Sequence, residues 1–379
     1  MTSTTITTNT TSSTRTTESN KKTWIAAAAF LAAALLIRFL SRGVPGFSDA
    51  FGAAAGPALL LTLGRFSGWF PFSVAELLLY AALPVLLGTL LCRLVFAKRR
   101  GVRKRDAALR WLSRICLLAS VIFLLIECGE DSPCYRTPFS KAHGIGEGSY
   151  TTTELADTAA LMVKRVNETA GLVAREENGR MVCGADVEGR CRAAIGCLGE
   201  QYAQLSGFCP KPKPVLFSEI MSRAHFTGIF TAVTMEANYN RDMTAYNIPA
   251  ACCHELGHAK GVLMENEANF VGYLACTQAE DPDLRYSGAM MGWIYVGNEL
   301  YKRDLEAWRE LAVTLDPRAN ADLEANTAFW KSYESAASRT AERLNDAYLK
   351  GHGQADGVKT YDQVVDLIVS YEKMNGRTS

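Results

Sequence analysis

An excess of charge of either sign is missing from this chain: 40 Lys and Arg stand against 39 Asp and Glu in 379 residues, for a net charge of +1. That balance gives no general basis for holding a polyanion, and no nucleic-acid partner is expected. No internal repeat is visible, which argues against a solenoid or propeller. Histidine is scarce, five residues in all, so a site that needs imidazole has few places to be. No A-x-A-like cleavage site stands out near the first apolar run, and two more such runs follow, so a removed signal peptide is a poor account of it.

Long hydrophobic runs are what the chain does have. They are TWIAAAAFLAAALLIRFL (23 to 40), FSVAELLLYAALPVLLGTLLCRLVF (72 to 96) and WLSRICLLASVIFLLIEC (111 to 128). Each is near the roughly 20 residues that a helix needs to cross a bilayer core. The connection 97 to 110 carries Lys98, Arg99, Arg100, Arg103, Lys104, Arg105 and Arg110, whereas 41 to 71 has only Arg42 and Arg65. The positive-inside rule then places 97 to 110, and the N-terminus with Lys21 and Lys22, in the cytoplasm. The expectation is a multi-pass protein of the cell membrane, with the lipid bilayer as a partner and everything after about residue 129 extracytoplasmic. The Thr/Ser tract ahead of the first run has too little apolar content to order itself, so residues 1 to 22 are expected to be a disordered tail, followed by a membrane domain over 23–128.

Eight of the cysteines, Cys134, Cys183, Cys191, Cys197, Cys209, Cys252, Cys253 and Cys276, fall in the outer region 129–379. Disulfides are permitted there, with the cluster 183 to 209 as the natural place for a staple. That cluster has no CxxC pair, which argues against a cysteine zinc site. Helical periodicity dominates the rest. A capping box of Thr151 and Glu154 opens one helix, and 187 to 205 reads as another. The β-branched and aromatic segments 210 to 218 and 228 to 240 read as two strands. After Pro249 the pattern is helical, with breaks near Gly261, Pro282, Pro317 and 351 to 357. The apolar stretch around MMGWIYVGNELY is interrupted by charge and reads as a buried helix.

The chemistry concentrates in CCHELGHAKGVLMENEANFVGYLAC, Cys252 to Cys276. On a helix His254 and His258 share a face at i, i+4 and can present two imidazoles to one ion, with Glu255 beside them. A zinc ion in such a place lowers the pKa of water and polarises a carbonyl, while the glutamate shuttles the proton. An HExxH arises by chance in roughly one chain of this length in a hundred, but two histidines and a charge on an apolar helix are costly without a ligand. The pattern HExxHxxGxxH is not met, because Met264 stands where its last histidine would. Glu265 and Glu267 are the candidates for the third ligand. Glu265 shares a face with Asn269, whereas Glu267 points about 160° away, so Glu265 is preferred. Tyr286, Tyr348, Lys350, His352 and His225 are available to stabilise an oxyanion, with Tyr286 and Tyr348 the first choices. The strand segment 228 to 240 could pair with an extended peptide or simply belong to the core.

At these residues the chain resembles the gluzincin metallopeptidases, in which HExxH is followed by a glutamate on a later helix, often within ExxA(D/N). Glu265, Ala268 and Asn269 match that pattern. More closely, it is similar to a family of bacterial membrane proteins with a zincin-like motif and a domain of unknown function. That likeness runs through PFSVAELLLY, FTAVTMEANYN, IPAACCHELGHAKG, ENEANFVGYLAC, RYSG and YLKGHGQADGVKTYDQVVDLIVSY. It implies a membrane-anchored, zinc-dependent hydrolase.

The sequence therefore predicts an α+β, mainly helical protein: three N-terminal transmembrane helices and a zincin-like extracytoplasmic domain over 129–379. Its expected function is a zinc metallopeptidase acting on exported or envelope polypeptides, with Glu255 as base. The alternatives are a non-catalytic zinc-binding envelope receptor or assembly protein, in which Glu267 or Cys253 would close the site, and a hydrolase of non-peptide material.

Overall fold

A computed structural model describes residues 7–97, 99, 102–146, 148–352, 354 and 363–376. Of the segments singled out above, residues 1 to 6, Lys98, Arg100 and most of 353 to 362 lie outside the described residues. The fold is mainly helical: α1 Thr7–Gly43, α2 Phe47–Ser67, α3 Val74–Val95, α4 Lys104–Ile126, α5 Thr152–Ala170, α6 Val187–Gln201, α7 Ser218–Arg223, α8 Asn247–Ala259, α9 Glu265–Thr277, α10 Pro282–Arg303, α11 Leu305–Ala312, α12 Pro317–Ser332, α13 Ala336–Gly351 and α14 Val364–Met374. Three short strands, β1 Lys213–Pro214, β2 Gly228–Thr231 and β3 Glu236–Tyr239, form one sheet in the order β1-β3-β2.

Among the described residues four helices, not three, are long and apolar enough to cross a membrane. The additional one is α2, which lies in what the sequence reads as a connection. Its glycines and alanines dilute its apolar signal: its mean hydropathy is 1.2, against 2.0 for the other three. The Thr/Ser tract expected to be unstructured is helical from Thr7, where it continues into the apolar part of α1. Extending a formed helix is far cheaper than starting one.

These four helices meet the outer domain in an ordered way. α1 and α4 run parallel: Ser113 Oγ of α4 donates to Asn20 Oδ1 of α1 at 2.7 Å, and Ser41 near the end of α1 bonds Ser132, just beyond α4, at 2.8 Å. α3 runs the other way, with Trp111 Nε1 donating to Thr89 at 3.1 Å. α2 touches the region 129–379 at both ends. Near its start Asp49 accepts from the Thr137 N–H at 2.8 Å, and at its end the Ser67 carbonyl accepts from Lys213 Nζ at 2.6 Å. Between these points Leu60 packs with Phe230, Ala232, Met235, Ala259 and Leu263.

The sheet is clamped to α3. Glu236 on β3 accepts the first free N–H groups of that helix, from Val74 at 3.0 Å and Ala75 at 2.8 Å, and Lys213 on β1 pairs with the same carboxylate. A carboxylate at a helix N-terminus satisfies donors that have no partner within the helix. The sheet's position relative to the apolar helices is thus fixed by charge as well as by packing.

The main core lies between α5, α6, α8, α9, α10 and α14. The helix over MMGWIYVGNELY is α10, buried through Tyr286, Met290, Trp293 and Val296. The capping box of Thr151 and Glu154 is present. The segment 228 to 240 is a hairpin rather than one strand, because residues 232 to 235 turn between β2 and β3. All eleven cysteines are free thiols, so the expected staple over 183 to 209 is not found. Cys191 and Cys209 are instead buried among apolar side chains, and Cys183 donates to the Ala245 carbonyl.

Candidate metal centre

The end of α8 builds the site. Gly261 takes φ +80°, a left-handed conformation that only glycine adopts without strain. The Val262 N–H then bonds the Gly257 carbonyl at 3.0 Å and the Gly261 N–H bonds the His258 carbonyl at 2.8 Å. This pair of bonds is a Schellman motif, and it stops the helix just after His258. The same turn brings the Val262 carbonyl to 2.8 Å from His258 Nδ1. A proton held there leaves Nε2 as the lone-pair nitrogen, aimed into the cleft.

α9 returns against α8 closely because Gly257 and Gly272 lie at the contact. A Cβ on Gly272 would come 3.3 Å from the His254 nitrogen. Glu265, the first residue of α9, thereby faces both imidazoles. Its Oε2 is 3.2 Å from His254 Nε2 and 3.7 Å from His258 Nε2. One ligand atom from each of the three residues lies within 4.8 Å of the others, the one such group of histidine, cysteine or acidic side chains found among the described residues. Glu265 Oε2 is buried and has no hydrogen-bond partner. Three donor atoms that converge this closely suit a shared ion. Two ligands about 2.1 Å from a tetrahedral zinc would stand about 3.4 Å apart, so the donor set fits that metal.

Electrostatics express the same convergence. Burial alone would lower the His258 imidazole, but the Glu265 carboxylate beside it outweighs burial and holds it up at about 9. Burial alone would raise Glu265, yet the two imidazoles keep it well below the carboxylate range. Burial pushes Glu255 up to about 7, against the pull of both histidines. Its Oε1 lies 4.0 Å from His254 Nε2 and its Oε2 has no partner.

The site opens into a cleft of about 1030 Å³. Phe226 to Phe230 line one wall, α13 covers it through Leu344 and Tyr348, and Met291, Ile294 and Trp330 add apolar surface. β2 is an edge strand, since only β3 pairs with it.

The other predicted site residues divide. Tyr348 lines the cleft, and its hydroxyl donates to Glu130, itself a lining residue. His352 and His225 line it as well, whereas Lys350 turns outward to Asp346. Tyr286 does not reach it: the side chain is fully buried and its hydroxyl donates to Asp322 at 2.6 Å. The reason is Asp322 itself, a buried carboxylate that also accepts from Arg175 and the Met181 N–H and takes up the phenol as a further donor. Glu267 is also elsewhere. It accepts from the Ser140 N–H at 2.9 Å and the Ser140 hydroxyl at 2.6 Å, on the face of α9 turned from the histidines. Cys253 is buried in the main core, in hydrogen-bonding reach of Cys191 and Cys276.

Two contributors carry no local sequence signal. Gln354 accepts from the Glu265 N–H at 3.2 Å and so caps the helix that presents the third donor. Gly228 leaves the space that Glu255 occupies.

Fold and site together define a helical protein with, among the described residues, four apolar helices long enough to span a membrane and a His-His-Glu group on a cleft, its Glu265 partly exposed. A family model described as "Protein of unknown function (DUF3810)" matches residues 57–369, and the chain belongs to that family. No curated protein and no solved structure matches it.

Proposed function

We propose that this protein is a membrane-anchored zinc metallopeptidase that cleaves exported or envelope polypeptides. The observation that carries the reading is the convergence of His254, His258 and Glu265 with a fourth side open to the cleft. Glu267 is held by Ser140 and Cys253 lies in the main core, and among the described residues no cysteine, Cys134 on the cleft wall included, joins the three-residue group, which favours an open site over a purely structural one.

A zinc ion held by these three residues would supply Lewis acidity and bring the pKa of water toward neutrality. Glu255, buried and titrating near neutrality, is suited to take a proton from the attacking water and return it to the leaving amine. The free edge of β2 would pair with an extended substrate backbone along the cleft. Tyr348, on the roof, is the candidate donor to the developing oxyanion once substrate displaces its bond to Glu130. The apolar lining from Ile294, Trp330 and Leu344 favours apolar side chains beside the scissile bond.

Three of the four apolar helices are assigned as spans: α1, α3 and α4. Both ends of α2 contact the outer domain, so it returns to the side on which it starts. With α1, α3 and α4 crossing, the N-terminus and the basic connection before α4 share the cytoplasmic side, and the outer domain is extracytoplasmic.

The deciding experiment is elemental analysis of the purified full-length protein, wild type beside His254→Ala. About one zinc per chain, lost in the variant, is the expected result. A folded wild-type protein without stoichiometric metal would overturn the reading.

A further inference from the structure

Most exposed large apolar side chains of the outer domain stand apart in the chain, but three of them fall together. Leu216, Phe217 and Ile220 are 52%, 59% and 58% exposed, three large side chains within five residues around the start of α7. Single exposed apolar residues are ordinary on any protein, but a group of this kind calls for a partner.

The neighbours of this group identify the partner. Phe217 packs edge-on against Tyr80 of α3, with ring centroids 5.5 Å apart. The Leu216 and Phe217 N–H groups donate to the Glu76 carboxylate in the first turn of α3, at 2.8 and 3.0 Å. Tyr80 stands six residues beyond Val74, about 9 Å along the axis of a helix about 33 Å long. Phe217 is therefore level with the second turn of α3 rather than with its rim. Leu77, Leu79 and Leu83 of that helix are also exposed, so apolar side chains of α3 stand open in the same turns that Phe217 meets. At the end of α2 and just beyond it, exposed Phe66 and Trp69 meet at a tilt, with ring centroids 5.6 Å apart. The Lys213 ammonium, which binds Ser67 and Glu236, places them beside the first turn of α3. Aromatic residues at such a height are enriched at membrane interfaces.

We propose that Leu216, Phe217 and Ile220 form a wedge that enters the headgroup–acyl boundary of the lipid bilayer surrounding α3. The proposal rests on the assignment of α3 as a membrane span. It goes beyond that assignment, because it puts part of the outer domain itself into lipid. The wedge also sets the height of the catalytic cleft. Only Ala224 to Thr227 separate α7 from the edge strand β2, and these four residues line the cleft. Held in this way, β2 is fixed close to the bilayer surface and presents its open edge to polypeptide segments that emerge from the membrane.

The test uses the full-length protein in vesicles of phosphatidylethanolamine and phosphatidylglycerol doped with a phospholipid carrying a diazirine on its acyl chain. After photolysis, labelled peptides are mapped by mass spectrometry, with the polar turn Glu176–Gly179 as background. The expected result is label on residues 215 to 223 as well as on α1, α3 and α4, and loss of the 215 to 223 label to background in the double variant Phe217→Asp, Ile220→Asp while α3 stays labelled. Label on α3 with none on 215 to 223 would overturn the wedge and leave the span assignment standing. Absence of label from α3 would overturn the span assignment, and the wedge with it. Persistence of the 215 to 223 label in the double variant would also overturn the wedge.

Discussion

Gly228 and Glu255 meet where the edge strand passes the histidine helix: a methyl group on Gly228 would lie 2.3 Å from Glu255 Oε1 and 2.6 Å from its Cγ. No real contact is so short, so any side chain here must push the glutamate from its place. Gly228→Ala is accordingly expected to lower peptide turnover by about 10²-fold, the order of loss that follows from displacing a reacting group by about 1 Å. Zinc content should stay at the wild-type value, because the atoms that a side chain here would meet first all belong to Glu255. Single-turnover assay beside elemental analysis checks this. Full turnover in a zinc-loaded Gly228→Ala protein would remove Glu255 from the proposed role.

Glu255→Gln separates the base from the fold. The amide keeps the volume and loses the ability to take a proton, so turnover should fall by about 10² to 10⁴, the range for general base catalysis. Metal content and melting temperature should change little. In contrast, His258→Ala removes a ligand and should release the metal.

Metal and protons compete for His258. In the metal-free protein this imidazole is held up at about 9 beside Glu265, from an ordinary value of 6.5. A group raised on folding contributes stability that is complete below its unfolded value and is lost as pH rises through its folded value. Glu265, held low, contributes stability above its ordinary 4.5 that is lost on acidification. The chelated protein should therefore melt highest between about pH 4.5 and 6.5 and lose stability as pH climbs toward 9. The zinc-loaded protein should not show the alkaline loss, since the metal replaces the proton. Scanning calorimetry with and without chelator reads both curves; identical alkaline limbs would show that the pair does not stabilise the apo site.

Much of this site was legible in the sequence, and the limits have physical causes. Helical geometry put His254 and His258 on one face, and the same arithmetic separated Glu265 from Glu267. The breaks at Gly261, Pro282 and Pro317 were legible because they rest on local backbone chemistry. Tyr286 was misjudged because its partner is distant in the chain: Asp322 lies 36 residues on, and Ser140, which holds the disfavoured Glu267, lies 127 residues back. Nothing near either residue announces those bonds. α2 escaped notice because glycine and alanine carry little apolar signal although they pack well. The hairpin at 228 to 240 read as a single strand because its turn, AVTM, lacks proline and glycine.

Tyr286 and Glu267 are expected to support the fold and not the chemistry. Tyr286→Phe deletes one of the hydrogen bonds to the buried Asp322 and should lower stability by about 1.5–3 kcal/mol, as for a bond to a charged group. Glu267→Ala leaves the buried Ser140 N–H and hydroxyl without acceptors and should cost about 1–3 kcal/mol. Denaturant unfolding measures both effects. Zinc content near one per chain in each variant is the distinguishing observation, since loss of metal in folded Glu267→Ala protein would return that residue to the ligand set.

Gln354 ties together the two sides of the turn between the ligand helices. Its Oε1 accepts from the Glu265 N–H and its Nε2 donates to the Leu263 carbonyl at 3.4 Å, while the side chain is buried. α9 has no side-chain cap of its own at Met264, so this amide supplies an acceptor that the helix start otherwise lacks. It also fixes where Glu265 begins its reach toward the histidines. Gln354→Ala should weaken zinc by about 10- to 100-fold, the range seen when a group that orients a ligand is removed. Gln354→Glu keeps the acceptor and loses the donor to Leu263, so its loss should be smaller. Competition against a chromophoric chelator orders the three proteins. Equal zinc affinity in Gln354→Ala and wild type would mean that α9 holds Glu265 in place without help from the segment that follows α13.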